Sequence, residues 1–216
     1  MIWWDVAADY LVALLRTARQ ALGANPDALQ QAAGFGWAVP IGIAIVAGAS
    51  VMTGQSLVLA INRVPRRRGV LTVAAAGLGS VAVAGLEAVL VWGLARLIVG
   101  ESRPISELLP AVLVGFAPYW LGFLVLLPYT GPGIARVLQI WHVIALWTLL
   151  TPVLGTDRGT ALLVTAGAWL ATVAVDFAAE HSPLRLRERL FRLLTGSKAT
   201  TSRDLMAAAS SPVVPQ

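Results

Sequence analysis

The sequence contains no cysteine. That absence excludes disulfides, thiolate metal sites, iron–sulfur clusters and thiol nucleophiles. Histidine is scarce as well, with 2 residues, His142 and His181. A histidine-built metal centre is therefore not expected. Charge is sparse: 12% of residues are Asp, Glu, Lys or Arg, against roughly 25% in an ordinary soluble domain. Catalytic signatures are missing too. No Walker loop follows a strand, and no Gly-x-Ser-x-Gly, His-Glu-x-x-His or paired-carboxylate pattern is present. Gly77-Leu78-Gly79 lies inside an apolar run, where it cannot cradle a phosphate. The expectation is a non-enzymatic protein with no cofactor and no metal.

What the chain does contain is apolar surface. Hydrophobic residues make up 57% of its 216 positions, and the mean hydropathy is +0.76. The apolar residues fall in long runs, which excludes a soluble domain and a disordered chain. The net charge of +5 flanks those runs. Its expected partner is an anionic lipid surface, not nucleic acid.

A bilayer core of about 30 Å needs roughly 20 apolar residues as a helix. Five segments meet that length, at about 37–61, 70–99, 105–127, 133–150 and 160–179. The predicted fold is all-α, a bundle of five transmembrane helices over residues 36–180. The first span stops at Asn62-Arg63-Val64-Pro65-Arg66-Arg67-Arg68, which is too charged to enter lipid. The third carries Pro110 and Pro118, each of which removes a backbone donor and interrupts or kinks a helix. The freed carbonyls need partners, so this helix is expected inside the bundle.

The ends read differently. In residues 1–35, Asp5, Asp9, Arg16 and Gln20 recur at helical spacing against Trp3, Trp4, Leu11, Leu14 and Leu15. That pattern suits a retained amphipathic helix along the membrane surface. A sixth, poorly inserted span is the alternative. Residues 181–195 read as a short basic amphipathic helix opened by Ser182 and Pro183, and 196–216 as a flexible tail.

Five spans divide the 16 Lys and Arg residues unevenly. One side receives Arg63, Arg66, Arg67, Arg68, Arg136, Arg185, Arg187, Arg189, Arg192, Lys198 and Arg203. The other receives Arg16, Arg19, Arg96, Arg103 and Arg158. Positive loops stay cytoplasmic, which puts the C-terminus inside and the N-terminus outside; the expected location is a prokaryotic plasma membrane. Arg63, Arg66, Arg67 and Arg68 are most simply a topology signal, with lipid or partner binding as the further role. Arg185, Arg187, Arg189 and Arg192 are expected at anionic headgroups.

Three stretches together resemble a known family. They are Gly100-Glu101-Ser102-Arg103-Pro104 followed by Gly115-Phe116-Ala117-Pro118, then Ile140-Trp141-His142, then Gly155-Thr156-Asp157-Arg158-Gly159 leading to Ala161-Leu162. This looks like the Yip family of five-span membrane proteins in its prokaryotic form. There a Gly-containing segment leads into an Ala-Pro step, a later span carries an Ile-Trp pair, and a small-residue turn opens the last span. The resemblance covers about residues 37–180 and implies a compact five-helix bundle. Eukaryotic members are linked to small GTPases and vesicle traffic. Their long N-terminal domain has no counterpart here, so GTPase binding is not carried over.

Polar groups inside the spans are the remaining clue. An acid at mid-membrane costs about 2.5–3.5 kcal/mol on insertion scales. Glu87 shares a stripe with Gly77, Ser80 and Ala84, where small residues admit a neighbouring helix. It reads either as a proton- or cation-binding carboxylate facing His142 or Arg136, or as a buried polar tie between helices. His142, with Gln139 and Arg136 on the same span, completes this candidate site. The leading functional reading is a membrane scaffold or accessory subunit that binds another membrane protein, or itself, and anionic lipid. The alternative is a small transporter component with Glu87 as its proton or cation site.

Overall fold

The computed structural model describes residues 2–61, 66–100, 103–127 and 129–181. The described residues are helical and contain no strand. Helix α1 spans Ile2–Leu22, α2 Ala28–Ala32, α3 Ala38–Ile61, α4 Arg66–Val99, α5 Ile105–Gly115, α6 Gly131–Leu154 and α7 Arg158–His181. A 3-10 turn, Ala33–Phe35, follows α2, and a 3-10 helix, Ala117–Leu126, follows α5. The chain divides into two compact units, Met1–Ala174 and Val175–Gln216. The predicted basic helix at 181–195, its Arg185, Arg187, Arg189 and Arg192, the tail and Arg63 lie outside the described residues, apart from His181 at the end of α7.

Each expected span has a helical counterpart. Val70–Val99, Ile105–Leu126, Gly131–Leu154 and Arg158–Val175 are each long and apolar enough to cross a membrane. Ala28–Phe35 and Ala38–Thr53 meet at 110° and give a fifth crossing if taken as one bent span. The chain is thus an all-α membrane bundle. Large apolar side chains point outward from these helices, including Leu71, Leu78 and Leu97 on α4 and Leu163 and Leu170 on α7. In water that distribution would be inside-out; in lipid it is the solvated state.

The core lies around α5. Leu108 and the run from Ala111 to Gly115 are buried there, as expected for the proline-bearing span. Buried Val39, Ile43, Ala44 and Ala47 of α3, Ala84, Ala88, Val91 and Ala95 of α4, and Leu146, Leu149 and Leu150 of α6 join the same cluster. Pro110 does not break α5, which runs through it to Gly115. The interruption falls at Pro118 alone, where the α-helix gives way to the 3-10 helix.

Small residues set the closest approaches. A Cβ on Gly122 would lie 2.9 Å from the Cα of Val51, so the 3-10 helix meets the α3 backbone directly. Ser50 fastens that contact. Its Oγ donates to the Trp120 carbonyl at 2.7 Å and accepts from the Phe123 amide at 3.2 Å. Those are the two backbone groups that one 3-10 turn joins. Trp120 Nε1 returns a bond to the Ile43 carbonyl at 3.0 Å.

Helix α1 is not among the helices long and apolar enough to span. Leu14, Thr17, Ala18 and Ala21 are buried, while Trp3, Trp4, Leu11 and Leu15 are exposed. Tyr10 donates to the Ala38 carbonyl at 3.1 Å, and Trp141 Nε1 to the Leu22 carbonyl at 2.9 Å. At the far end of α6, Gly155 takes φ +64° and its amide closes on the Thr151 carbonyl, a left-handed helix stop. Asp157 then caps α7, accepting from the Gly159 and Thr160 amides at 2.9 and 3.0 Å.

Candidate functional site

Two helices present one buried ionisable side chain each to their packed face. On α4 the buried positions Ala84, Ala88, Val91 and Ala95 recur at spacings of three and four, and Glu87 sits among them. On α6 the buried positions Leu138, Ala145, Leu146 and Leu149 do the same around His142. The small residues ahead of Glu87 bring α3 close. A Cβ on Gly77 would lie 3.0 Å from the Ile45 carbonyl oxygen, and Ser80 donates to the Ala44 carbonyl.

Glu87 and His142 meet there. His142 Nε2 lies 3.1 and 3.2 Å from the two carboxylate oxygens. Both side chains are almost fully enclosed, at 2% and 3% accessible. The other ring nitrogen, Nδ1, lies 2.8 Å from the Gly115 carbonyl oxygen. Phe116 closes one side edge-on, with ring centroids 4.9 Å apart, and Tyr119 another at 5.3 Å.

The backbone explains why that carbonyl is free. In a continuing α-helix the Tyr119 amide would bond Gly115, but it bonds the Phe116 carbonyl at 3.0 Å. In a 3-10 turn residue 118 would bond Gly115, but Pro118 has no N–H. The Gly115 carbonyl is therefore left without a helical partner while buried. An unmet buried carbonyl costs about 1–3 kcal/mol. His142 meets it.

That contact assigns the proton. A carbonyl only accepts, so Nδ1 carries a hydrogen. Nε2 and the carboxylate then share one further proton, on the imidazolium facing a carboxylate or on a carboxylic acid facing a neutral ring. Either arrangement is neutral overall, and a neutral pair is what so enclosed a site tolerates.

The other candidates stand apart. Arg136 and Gln139 are exposed on α6, whereas His142 is buried. The structure joins Glu87 to His142 and not to Arg136. Arg66, Arg67 and Arg68 open α4. Among the described residues no group of three or more His, Asp or Glu side chains could hold a metal. Sequence reasoning missed the Gly115 carbonyl and the Phe116 and Tyr119 lids. The signal for the carbonyl was available, since Pro118 orphans an acceptor three residues back. No family model, curated protein or solved structure matches this chain.

Proposed function

We propose that this chain is a non-enzymatic membrane scaffold or accessory subunit that binds another membrane protein through the outward face of α4. One observation carries the reading. A Cβ placed on Gly79, Gly85 or Gly93 would meet nothing within 4 Å among the described residues. These glycines interleave with the exposed Leu78, Leu86 and Val89. Each glycine weakens its helix by about 1 kcal/mol relative to alanine, with no close packing from the described residues to offset it. A flat helix surface of this kind admits a second helix at short range. The Yip-like reading of the spans, with no catalytic signature, fits the same role, and the basic segments at 63–68 and 185–192 suit contact with anionic lipid.

The test uses gentle-detergent purification from the native membrane and mass spectrometry of what remains bound. A stoichiometric membrane-protein partner, lost in Gly85→Leu/Gly93→Leu while the thermal midpoint of the chain holds, is the expected result. A chain that elutes alone in wild type overturns the proposal. The absence of cysteine makes Gly85→Cys a unique cross-linking position for the same contact.

A second reading rests on the Glu87–His142 pair, since intramembrane acid–histidine pairs also serve as proton sites. Its marker is proton-coupled flux in reconstituted vesicles that Glu87→Gln abolishes. Flux unchanged by Glu87→Gln rejects it.

A further inference from the structure

The last two turns of α6, the opening of α7 and the turn after α1 enclose a groove of about 570 Å³. That volume lies in the range of small-molecule sites. Its walls include Pro26, Trp147, Pro152 and the hydroxyl-bearing Thr148 and Thr151. Both hydroxyls donate to carbonyls of their own helix, at 2.8 and 2.7 Å, and keep their acceptor lone pairs. From Trp147 to Gly155 the groove follows α6 for about 12 Å at 1.5 Å per residue.

Charge gathers at one end of it. Arg158 lines the groove where α7 begins. Its carbonyl holds the Trp147 indole N–H at 2.9 Å. Its guanidinium forms no ion pair among the described residues. Arg103 reaches the same rim, with an Nη 3.7 Å from the place a Gly155 Cβ would take. Its own contact with Glu107 is long, at 3.9 Å between two exposed side chains. The nearby acid, Asp157, is turned onto the amides of α7.

We propose that this groove binds an anionic phospholipid, with its phosphodiester on Arg158 and Arg103 and the start of its acyl region along Trp147. The argument is the match of polarity to depth. Guanidinium groups fit phosphate oxygens with paired donors, and they stand at the rim. The apolar wall runs from there toward the middle of the span, in the direction an acyl chain takes. The site belongs to the end of α4 opposite Arg66, so it is separate from the basic residues that open that helix. It does not depend on the scaffold reading.

Thermal unfolding of the purified chain in a neutral maltoside detergent, titrated with four probes, tests this. The probes are dihexanoylphosphatidylglycerol, dihexanoylphosphatidylcholine, glycerol phosphate and inorganic phosphate. The anionic lipid should raise the midpoint saturably, the zwitterionic lipid less, and the two chainless phosphates not at all. Arg158→Gln should raise the half-saturating lipid concentration about tenfold, the loss of one charge-assisted bond, and Arg158→Lys should restore part of it. Arg136→Gln, an exposed cation elsewhere on α6, should match wild type. Equal response to both lipids, an equal response to inorganic phosphate, or equal loss in Arg136→Gln and Arg158→Gln overturns the proposal. Arg158→Gln leaves the backbone carbonyl that holds Trp147, so its fold is retained.

Discussion

Glu87 and His142 are 55 residues apart in sequence and 3.1 Å apart in space. Their contact joins α4 to α6, and through Nδ1 to the last residue of α5. Removing one partner strands the other. His142→Ala and Glu87→Ala should each cost about 3–5 kcal/mol, the range for breaking a buried pair. The double variant Glu87→Leu/His142→Phe should cost less than the sum of the two. A double-mutant cycle, measured by reversible unfolding in mixed micelles, checks the coupling. Additive losses would mean that the two side chains act independently.

Pro118→Ala should disturb His142 without touching it. The new amide lies where a 3-10 turn would direct it at the Gly115 carbonyl. It then competes with Nδ1 for that acceptor, and the imidazole loses the contact that sets its orientation. The expected cost is about 1 kcal/mol, one net hydrogen bond. The direct readout is the imidazole nitrogen resonances of ¹⁵N-His protein, which should shift in Pro118→Ala. An unchanged spectrum would show that the proline does not prepare this acceptor.

Two glycines separate internal packing from outward surface. Gly122→Ala forces the 3-10 helix off Val51 and should destabilise by about 1–3 kcal/mol, the cost of overpacking. Gly85→Ala meets nothing within 4 Å among the described residues and should stabilise the purified chain by up to about 1 kcal/mol through helix propensity. Thermal midpoints in detergent should move in opposite directions. Movement in the same direction would remove the distinction.

Asp157 sets an acid limit on the start of α7. Its bond from the Thr160 hydroxyl, and then those from the Thr160 and Gly159 amides, hold its carboxyl below the usual value of 3.8. A carboxyl lowered in the folded state adds stability that is complete above its unfolded value. That stability is lost as pH falls through the lower folded value. Gly159 and Thr160 amides should therefore stay protected from hydrogen exchange at pH 5 and lose protection below 3.8. Asp157→Ala should show the unprotected behaviour at both pH values.

Much of this architecture was legible in the chain. The spans are long apolar runs separated by Pro-, Gly- and charge-bearing turns, so their positions agree with the helices to within a few residues. Glu87 was readable because small residues at helical spacing marked its face as packed, and His142 was named among its possible partners. Arg136 was named as well, but it lies on the outward arc of α6, and a loose grouping by sequence distance cannot separate the two arcs. Pro110 and Pro118 look equivalent as residues. What distinguishes them is whether the helix continues past them, and tertiary packing decides that. The 3-10 helix left no sequence trace, because Ala117–Leu126 is apolar on every side and carries no period. Its cause lies partly in Ser50, which is 70 residues from Trp120.

The 3-10 helix has a consequence for length. Its ten residues extend about 20 Å, where the same residues in an α-helix would extend about 15 Å. The two forms also differ by about 20° of turn per residue, so they cannot interconvert without sweeping their side chains round the axis. Ser50 and Trp120 fix the rotation, and the rotation fixes the reach. The span thus works as a ruler with one permitted setting. In a bilayer a few ångströms thinner, this segment cannot shorten until the Ser50 bridge opens, so tilt must absorb the mismatch first.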